Sequence, residues 1–192
     1  MQVLQYPHPT LRHKAKPLKR VDAELRKLIG EMYELMYQHK GIGLAATQVD
    51  LPYRLFVLNL EGEAGKGEEY TFINPVISKR KGSAEAEEGC LSLPGLYADV
   101  RRPERITLNA YSLAGEEVTL DLDGLFARAV QHEVDHLDGV LFIDRLATTT
   151  EAKVREALAD FQREYEGRLE RGELPNPTAV AQRLAELEKL RT

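Results

Sequence analysis

Gln131-His132-Glu133-Val134-Asp135-His136-Leu137 is the stretch on which the reading of this chain turns. On a helix, side chains four residues apart stand one above the other on the same face, so His132 and His136 can reach a single ion. Glu133 follows the first imidazole and can hydrogen-bond a water on that ion without ligating it. An open hydrolytic site takes three protein ligands and leaves a position for water. A third ligand must therefore come from elsewhere in the chain. The helix bearing the pair is expected from about Leu125 to Leu137, preceded by Gly124 and closed by Gly139, with the rest of the domain arranged around it.

Three positions compete for the third ligand. The spacing from His132 to Gly139 follows the metzincin protease pattern as far as its glycine, but that pattern then requires a histidine where this chain has Phe142. A thermolysin-like arrangement takes a glutamate some twenty residues beyond the second histidine. Glu156 lies at that distance, with Asp160 placed to orient a histidine. Val154, Leu158, Phe161 and Tyr165 recur at helical spacing there, however, which reads as an amphipathic helix with solvated charges between its apolar positions. The third candidate is Cys90, the only cysteine, in Glu88-Gly89-Cys90-Leu91-Ser92. A lone cysteine is ordinarily a small buried apolar residue. Its neighbours point elsewhere: Gly89 allows close backbone approach, and Pro94-Gly95 is expected to turn the chain soon afterwards.

Gly41-Ile42-Gly43-Leu44-Ala45-Ala46-Thr47-Gln48, then Glu88 to Ser92, then Gln131 to Leu137 follow one another in that order. Together they resemble the three motifs of the peptide deformylases, and the opening Tyr6-Pro7-His8-Pro9-Thr10-Leu11-Arg12 is similar to that family's start. The resemblance covers residues 1–147. It implies a hydrolase that removes the N-formyl group from the initiator methionine of nascent polypeptides and releases formate. Cys90, His132 and His136 would hold one divalent metal ion, metal-bound water would be the nucleophile, and Glu133 the general base and acid. Such enzymes are known to use Fe(II), which is the expected ion in vivo, and a purified sample could carry Zn(II), Ni(II) or Co(II). A thiolate among the ligands suits iron or zinc and disfavours hard ions such as Mg(II).

The same resemblance makes the Gln48 side-chain amide and the Leu91 backbone N–H donors to the developing oxyanion. Ile42 and Gly43 would pair with the substrate backbone as an added strand, with Gly89 also at the substrate. Leu125 and Ala129 lie seven and three residues before His132, on its side of the helix, and are candidates for a methionine pocket. Arg128, four before His132, departs from an all-apolar face; it is read as a rim residue or as pointing to solvent. Arg102 is implied as an ion-pair partner of Asp135, and Glu88 is expected to share it. The partners implied are N-formylmethionyl peptides and nascent chains, with a transient ribosome contact. Two other readings stand beside this one: a thermolysin-like peptidase using Glu156, and a structural metal protein or inactive binding module. Glu133 and Gln48 speak against the last, since neither is needed merely to hold an ion.

Composition narrows the class. A chain of 192 residues, 43% hydrophobic and 30% charged, fits one soluble globular domain with room for an appendage. A net charge of −5 argues against a broad nucleic-acid footprint. No apolar leader follows Met1-Gln2-Val3-Leu4, no run approaches a membrane span, and a single thiol suits a reducing compartment. The expected location is cytoplasmic.

Periodicity supplies the elements. Asp22 is positioned to cap a helix whose Leu25, Leu28, Met32, Leu35 and Met36 form one stripe, with Gly41 beyond its end. His39 falls in its last turn as a cation near the negative helix end, while His8 and His13 are read as surface residues. Leu55 to Leu60 is a nearly continuous apolar run, as in a buried strand, and Tyr70 to Ile77 resumes strand character with Asn74-Pro75 limiting its pairing. Ile106 to Ala110 and Val118 to Leu122 alternate around Leu113-Ala114-Gly115-Glu116, predicting a hairpin. Thr148 and Glu151 suggest a capping box for a helix ending near Gly172, and Val180, Leu184 and Leu187 mark another after Pro175-Asn176-Pro177. The fold class predicted is α+β: small mixed or antiparallel sheets around a central metal-binding helix, with a catalytic domain over residues 1–147 and a helical C-terminal extension over 148–192.

Overall fold

The computed structural model of the chain describes residues 1–192. After a single 3-10 turn at Pro9–Arg12 comes helix α1, Ala23–Gln38, capped by the Asp22 carboxylate accepting from the Leu25 N–H at 2.8 Å. Strands β1 (Gly43–Ala45), β2 (Leu55–Leu58) and β3 (Tyr70–Lys81) follow, then a hairpin of β4 (Ala84–Cys90) and β5 (Leu93–Arg102). A second hairpin, β6 (Arg105–Tyr111) and β7 (Glu117–Asp123), runs directly into α2 (Gly124–Leu137). Helices α3 (Thr148–Glu170) and α4 (Pro177–Arg191) complete the chain. This is the α+β arrangement expected, and every ladder in it is antiparallel.

The main sheet has the order β1-β2-β3-β6-β7, and β4-β5 form a separate two-stranded sheet. Strand β2 explains why the apolar run there is unbroken. Leu55 and Val57 pack with Leu25, Ile29, Met32 and Met36 of α1, whereas Phe56 and Leu58 pack with Val130, Val134 and Leu137 of α2. Successive side chains of a strand point to opposite faces, so a strand covered by a helix on each side must be apolar throughout. Each fully buried Val, Leu or Phe of this kind contributes about 1.5–3 kcal/mol. Helix α2 is thus clamped against the middle of the sheet, and the face carrying its histidines is directed toward the β4-β5 hairpin.

Several local expectations are corrected. The β4-β5 hairpin has no clear local signal: Ala84-Glu85-Ala86-Glu87-Glu88-Gly89-Cys90 is poor in strand-forming residues, and the buried alternation of β5, Leu96, Ala98, Val100 and Arg102, ends on a charged residue. The turn that reverses this chain segment is Leu91-Ser92, with Pro94-Gly95 already inside β5. Thr148 and Glu151 make no capping box; the cap of α3 is Ala147, whose carbonyl accepts from the Thr150 and Glu151 N–H groups at 2.9 Å. His8 is buried rather than exposed, with its ring edge-on to Tyr165 of α3. His13 is half-buried and pairs with Glu188 at 2.8 Å.

Helix α4 is bound to the opening segment of the chain. Val180 and Leu184 are buried, and so is Arg191. The Arg191 guanidinium donates to the Tyr53 hydroxyl at 2.9 Å, to Asp22 at 3.1 Å and to Glu24 at 2.6 Å, with its carbon 5.5 Å from the centre of the Tyr53 ring. Arg183, by contrast, meets Asp50 at the surface. Replacing Arg191 by Met is expected to lower the unfolding free energy by about 1–3 kcal/mol, whereas Arg183→Ala should cost about 1 kcal/mol or less. Urea unfolding of both variants checks the contrast, and equal losses would show that the buried arginine is not the stronger clasp.

Candidate active site

Helix α2 and the β4-β5 hairpin each supply part of one cluster. The Nε2 atoms of His132 and His136 are 3.2 Å apart, and the Cys90 Sγ lies 3.2 Å from His136 Nε2. All three atoms fall within 4.8 Å of one another, so this group could hold a metal ion. Donors 2.0–2.3 Å from a tetrahedral ion stand roughly 3.3–3.6 Å from each other, close to what is seen. Two imidazole nitrogens and a sulfur converging on one point fit a soft or borderline dication rather than a hard one. Glu156 stands on the exposed side of α3 and is not part of the cluster. Phe142, at the position where a metzincin would need histidine, is buried with its ring stacked 6.3 Å from that of His132.

The groups behind the cluster determine how each imidazole presents itself. His132 Nδ1 is 3.0 Å from Glu88 Oε2, which directs the other ring nitrogen at the cluster. Burial opposes the charged form of His132, yet hydrogen bonds with Cys90 and Glu88 outweigh it and push its pKa up to about 10. His136 goes the other way: burial, then the charge of His132, hold it well below the ordinary value. Burial also works against ionisation of Glu88, but hydrogen bonds from Arg102 and His132 hold its carboxyl far below the usual carboxylate range. Arg102 reaches Glu88 with Nε at 2.6 Å and Nη2 at 2.8 Å, and Asp135 with Nη1 at 2.6 Å. Asp135 is shared in turn with Arg145. The expected Arg102 pairings are both present.

Glu133 lies on α2 one step from His132, nearly inaccessible, and its Oε2 has no hydrogen-bond partner. Burial raises its pKa to about 7. An unpartnered buried carboxylate oxygen is costly and rare in folded proteins, and it calls for a chemical explanation. Gly43 stands against it: a Cβ there would collide with the carboxylate.

Gln48 is buried in a 3-10 turn, Ala46–Val49, that follows β1. Its Oε1 accepts from the Ala45 N–H at 2.9 Å, so the amide nitrogen must face the other way. There Nε2 meets Ser92 Oγ at 3.1 Å and Cys90 Sγ at 3.5 Å. Leu91 follows Cys90 in the turn, and a Cβ on Gly41 would come within 2.8 Å of its side chain.

These residues border a cleft of about 520 Å³. Ile42 and Gly43 of the β1 edge, Gly89 and Leu91 of the hairpin, and Leu125 and Ala129 of α2 all line it. Leu125 is half exposed at its mouth, while Ala129 is buried. Gly89 lets the Tyr97 ring lie on the backbone, since a Cβ would approach that ring to 2.5 Å. Sequence reasoning did not single out Ser92, which anchors the Gln48 amide, nor Tyr97; a serine and an exposed tyrosine without periodic context give no signal. Arg128 does border the cleft, but its charged end points neither to solvent nor into the opening. Its guanidinium turns inward onto Glu88 at 2.6 Å and onto two backbone carbonyls, so the cleft is lined there by the stem of a mostly buried side chain.

Comparison with known proteins agrees with this geometry. Residues 1–152 match the family model described as polypeptide deformylase. A peptide deformylase of Rhodopirellula baltica is 45% identical over 192 residues, covering 100% of this chain and 96% of its own. One from Neisseria meningitidis is 45% identical over 163 residues, 85% of this chain and 96% of its own. Among solved structures, Arabidopsis thaliana peptide deformylase 1B in complex with an inhibitor superposes with a TM-score of 0.85 at 42% identity, covering 92% of this chain and 97% of that one. The peptide deformylase of Thermus thermophilus gives 0.75 at 43%, covering 84% and 97%.

Cys90→Ala is expected to strip or greatly weaken bound metal, whereas Glu156→Ala should leave it nearly unchanged. Metal content after desalting distinguishes them, and the reverse pattern would restore the thermolysin-like arrangement.

Proposed function

The chain belongs to the polypeptide deformylase family, and from that premise we propose that it hydrolyses the N-formyl group of formylmethionyl peptides, releasing formate and a free amino terminus. The observation that carries this reading is the buried Glu133, with one oxygen unpartnered, beside three converging metal donors at the floor of an open cleft. The ligands are Cys90, His132 and His136, and Fe(II) is the physiological ion proposed. When bound, a divalent ion polarises a carbonyl and brings the pKa of a coordinated water toward about 7.

The chain's own groups do the rest. Glu133 takes the proton of the attacking water and returns it to the departing amine; burial sets its affinity for that proton between those of an ordinary carboxylate and an amine. The Gln48 amide, held by Ala45 and Ser92, donates to the developing oxyanion together with the Leu91 N–H. Ile42 and Gly43, in and beside the edge strand β1, pair with the substrate backbone, an interaction that binds any sequence. Leu125 and Ala129, with the stem of Arg128, receive the methionine side chain. With the ion bound, Glu88 would accept from His132 Nδ1 and so leave the Nε2 lone pair of the neutral ring for the metal. No helix is long and apolar enough to cross a membrane, and a thiol ligand suits the reducing cytoplasm proposed as the site of action.

Formate release from formyl-Met-Ala, measured beside an endopeptidase substrate, tests the reading; cleavage of the internal peptide bond without formate release would overturn it. Glu133→Gln should retain metal and lose about 10²–10⁴-fold in kcat. Gln48→Ala should lose about 10²–10³-fold, the usual consequence of deleting one oxyanion donor. Parent-like turnover by the Glu133 variant would remove the proposed base from the mechanism.

A further inference from the structure

The three metal donors sit on two elements that share no backbone ladder. Helix α2 holds His132 and His136, and the β4-β5 hairpin, a sheet of its own, holds Cys90. Whatever fixes the hairpin to the helix therefore fixes the sulfur relative to the imidazoles. Arg128 lies on α2 one turn before His132, and its guanidinium bonds three points of the hairpin. Nη1 donates to Glu88 Oε1 at 2.6 Å and to the Val100 carbonyl at 2.9 Å, and Nη2 donates to the Ala84 carbonyl at 2.9 Å. Ala84 and Val100 belong to the two different strands of the hairpin, so a single planar fork grips both. Its side chain is 13% exposed, which places these bonds largely out of water. Glu88 does not need this second cation for its charge, because Arg102 already binds it with two donors. What Arg128 adds is the pair of backbone bonds. A planar guanidinium can make all three at once, while an ammonium on a flexible stem cannot hold the same fork.

We propose that Arg128 is a positioning residue of the metal site: it staples the hairpin presenting Cys90 to the helix presenting His132 and His136, and so determines how firmly the three donor atoms are held together. The inference rests on the assignment of those three residues as ligands and not on the identity of the substrate.

The test uses the full-length protein loaded with Co(II), and follows release of the metal to excess EDTA and the thiolate-to-cobalt absorption band. Arg128→Met keeps the stem and removes every donor. It is expected to release metal about 10–100-fold faster, the range typical when a group behind a ligand is lost, with a weakened thiolate band. Arg128→Lys should fall between Met and the parent, and it provides the reading if the Met variant does not fold. Arg191→Met, at the remote clasp, controls for general loss of stability. Release from the Arg128 variants no faster than from that control would overturn the proposal. Faster release with a thiolate band of full intensity would overturn the assignment to the Cys90 arm. Failure of the ligand assignment itself would show separately, as absence of a thiolate band in the parent.

Discussion

A single guanidinium, that of Arg102, holds two buried carboxylates on different elements, and most of the candidate site is referred to it. Glu88 comes from β4 and Asp135 from α2, and Arg102 itself lies at the end of β5. The arrangement cannot be explained by stability alone. Burying charges costs several kcal/mol each, and their mutual attraction roughly repays that cost. Its effect is directional: Glu88 accepts from Arg102 with both oxygens and keeps one of them on His132 Nδ1. The imidazole can then rotate only by breaking a charge-assisted bond in a dry environment. A histidine on a helix face becomes a donor aimed at one point because a carboxylate behind it has nowhere else to go.

Glu133 shows the opposite treatment of a carboxylate, one residue away on the same helix. Glu88 is surrounded by cations and ionises readily, whereas Glu133 has burial without a compensating donor on Oε2. Two glutamates of equal intrinsic acidity are thereby separated into a fixed anion and a group that can exchange a proton near neutrality. The glycine at 43 is part of this separation. It lets β1 come so close to Glu133 that no side chain fits between, which keeps the carboxylate dry and still leaves the strand edge facing the cleft.

The features legible in the sequence are those expressed as local period or local chemistry. The α2 histidines at i and i+4, the α1 stripe behind its Asp22 cap, the β6-β7 alternation and the doubly buried β2 could each be read within a few residues. What was missed depends on partners far along the chain. Strand β4 is acidic and glycine-bearing, and becomes a strand only because β5 pairs with it and Arg102 and Arg128 neutralise and anchor Glu88. The inward anchoring of Arg128 has no local signal because its acceptors, Ala84, Glu88 and Val100, lie 28 to 44 residues away. His8 looked exposed because the segment around it is rich in prolines and basic residues, and nothing local shows that Tyr165 of α3 will cover it.

That covered segment also gives the opening motif a physical role. The Leu4 N–H donates to the Gln48 carbonyl at 2.8 Å and the Tyr6 N–H to the Ser92 carbonyl at 2.9 Å. One extended strap thus ties together the turn that carries Gln48 and the turn that follows Cys90, whose side chains meet across the Gln48–Ser92 hydrogen bond. Just beyond it, the Thr10 hydroxyl donates to Asp50 at 2.6 Å, and Arg183 of α4 closes on the same carboxylate. Asp50 occupies the left-handed region at φ 68° immediately after the Gln48 turn, a conformation that a non-glycine residue keeps only when its surroundings hold it there. The first dozen residues and the last helix therefore converge behind the same two turns. The oxyanion donors proposed here are short-loop groups, and loops move unless their backbone is bonded on the side away from the substrate. The strap provides those bonds, and α3 and α4 keep the strap in place.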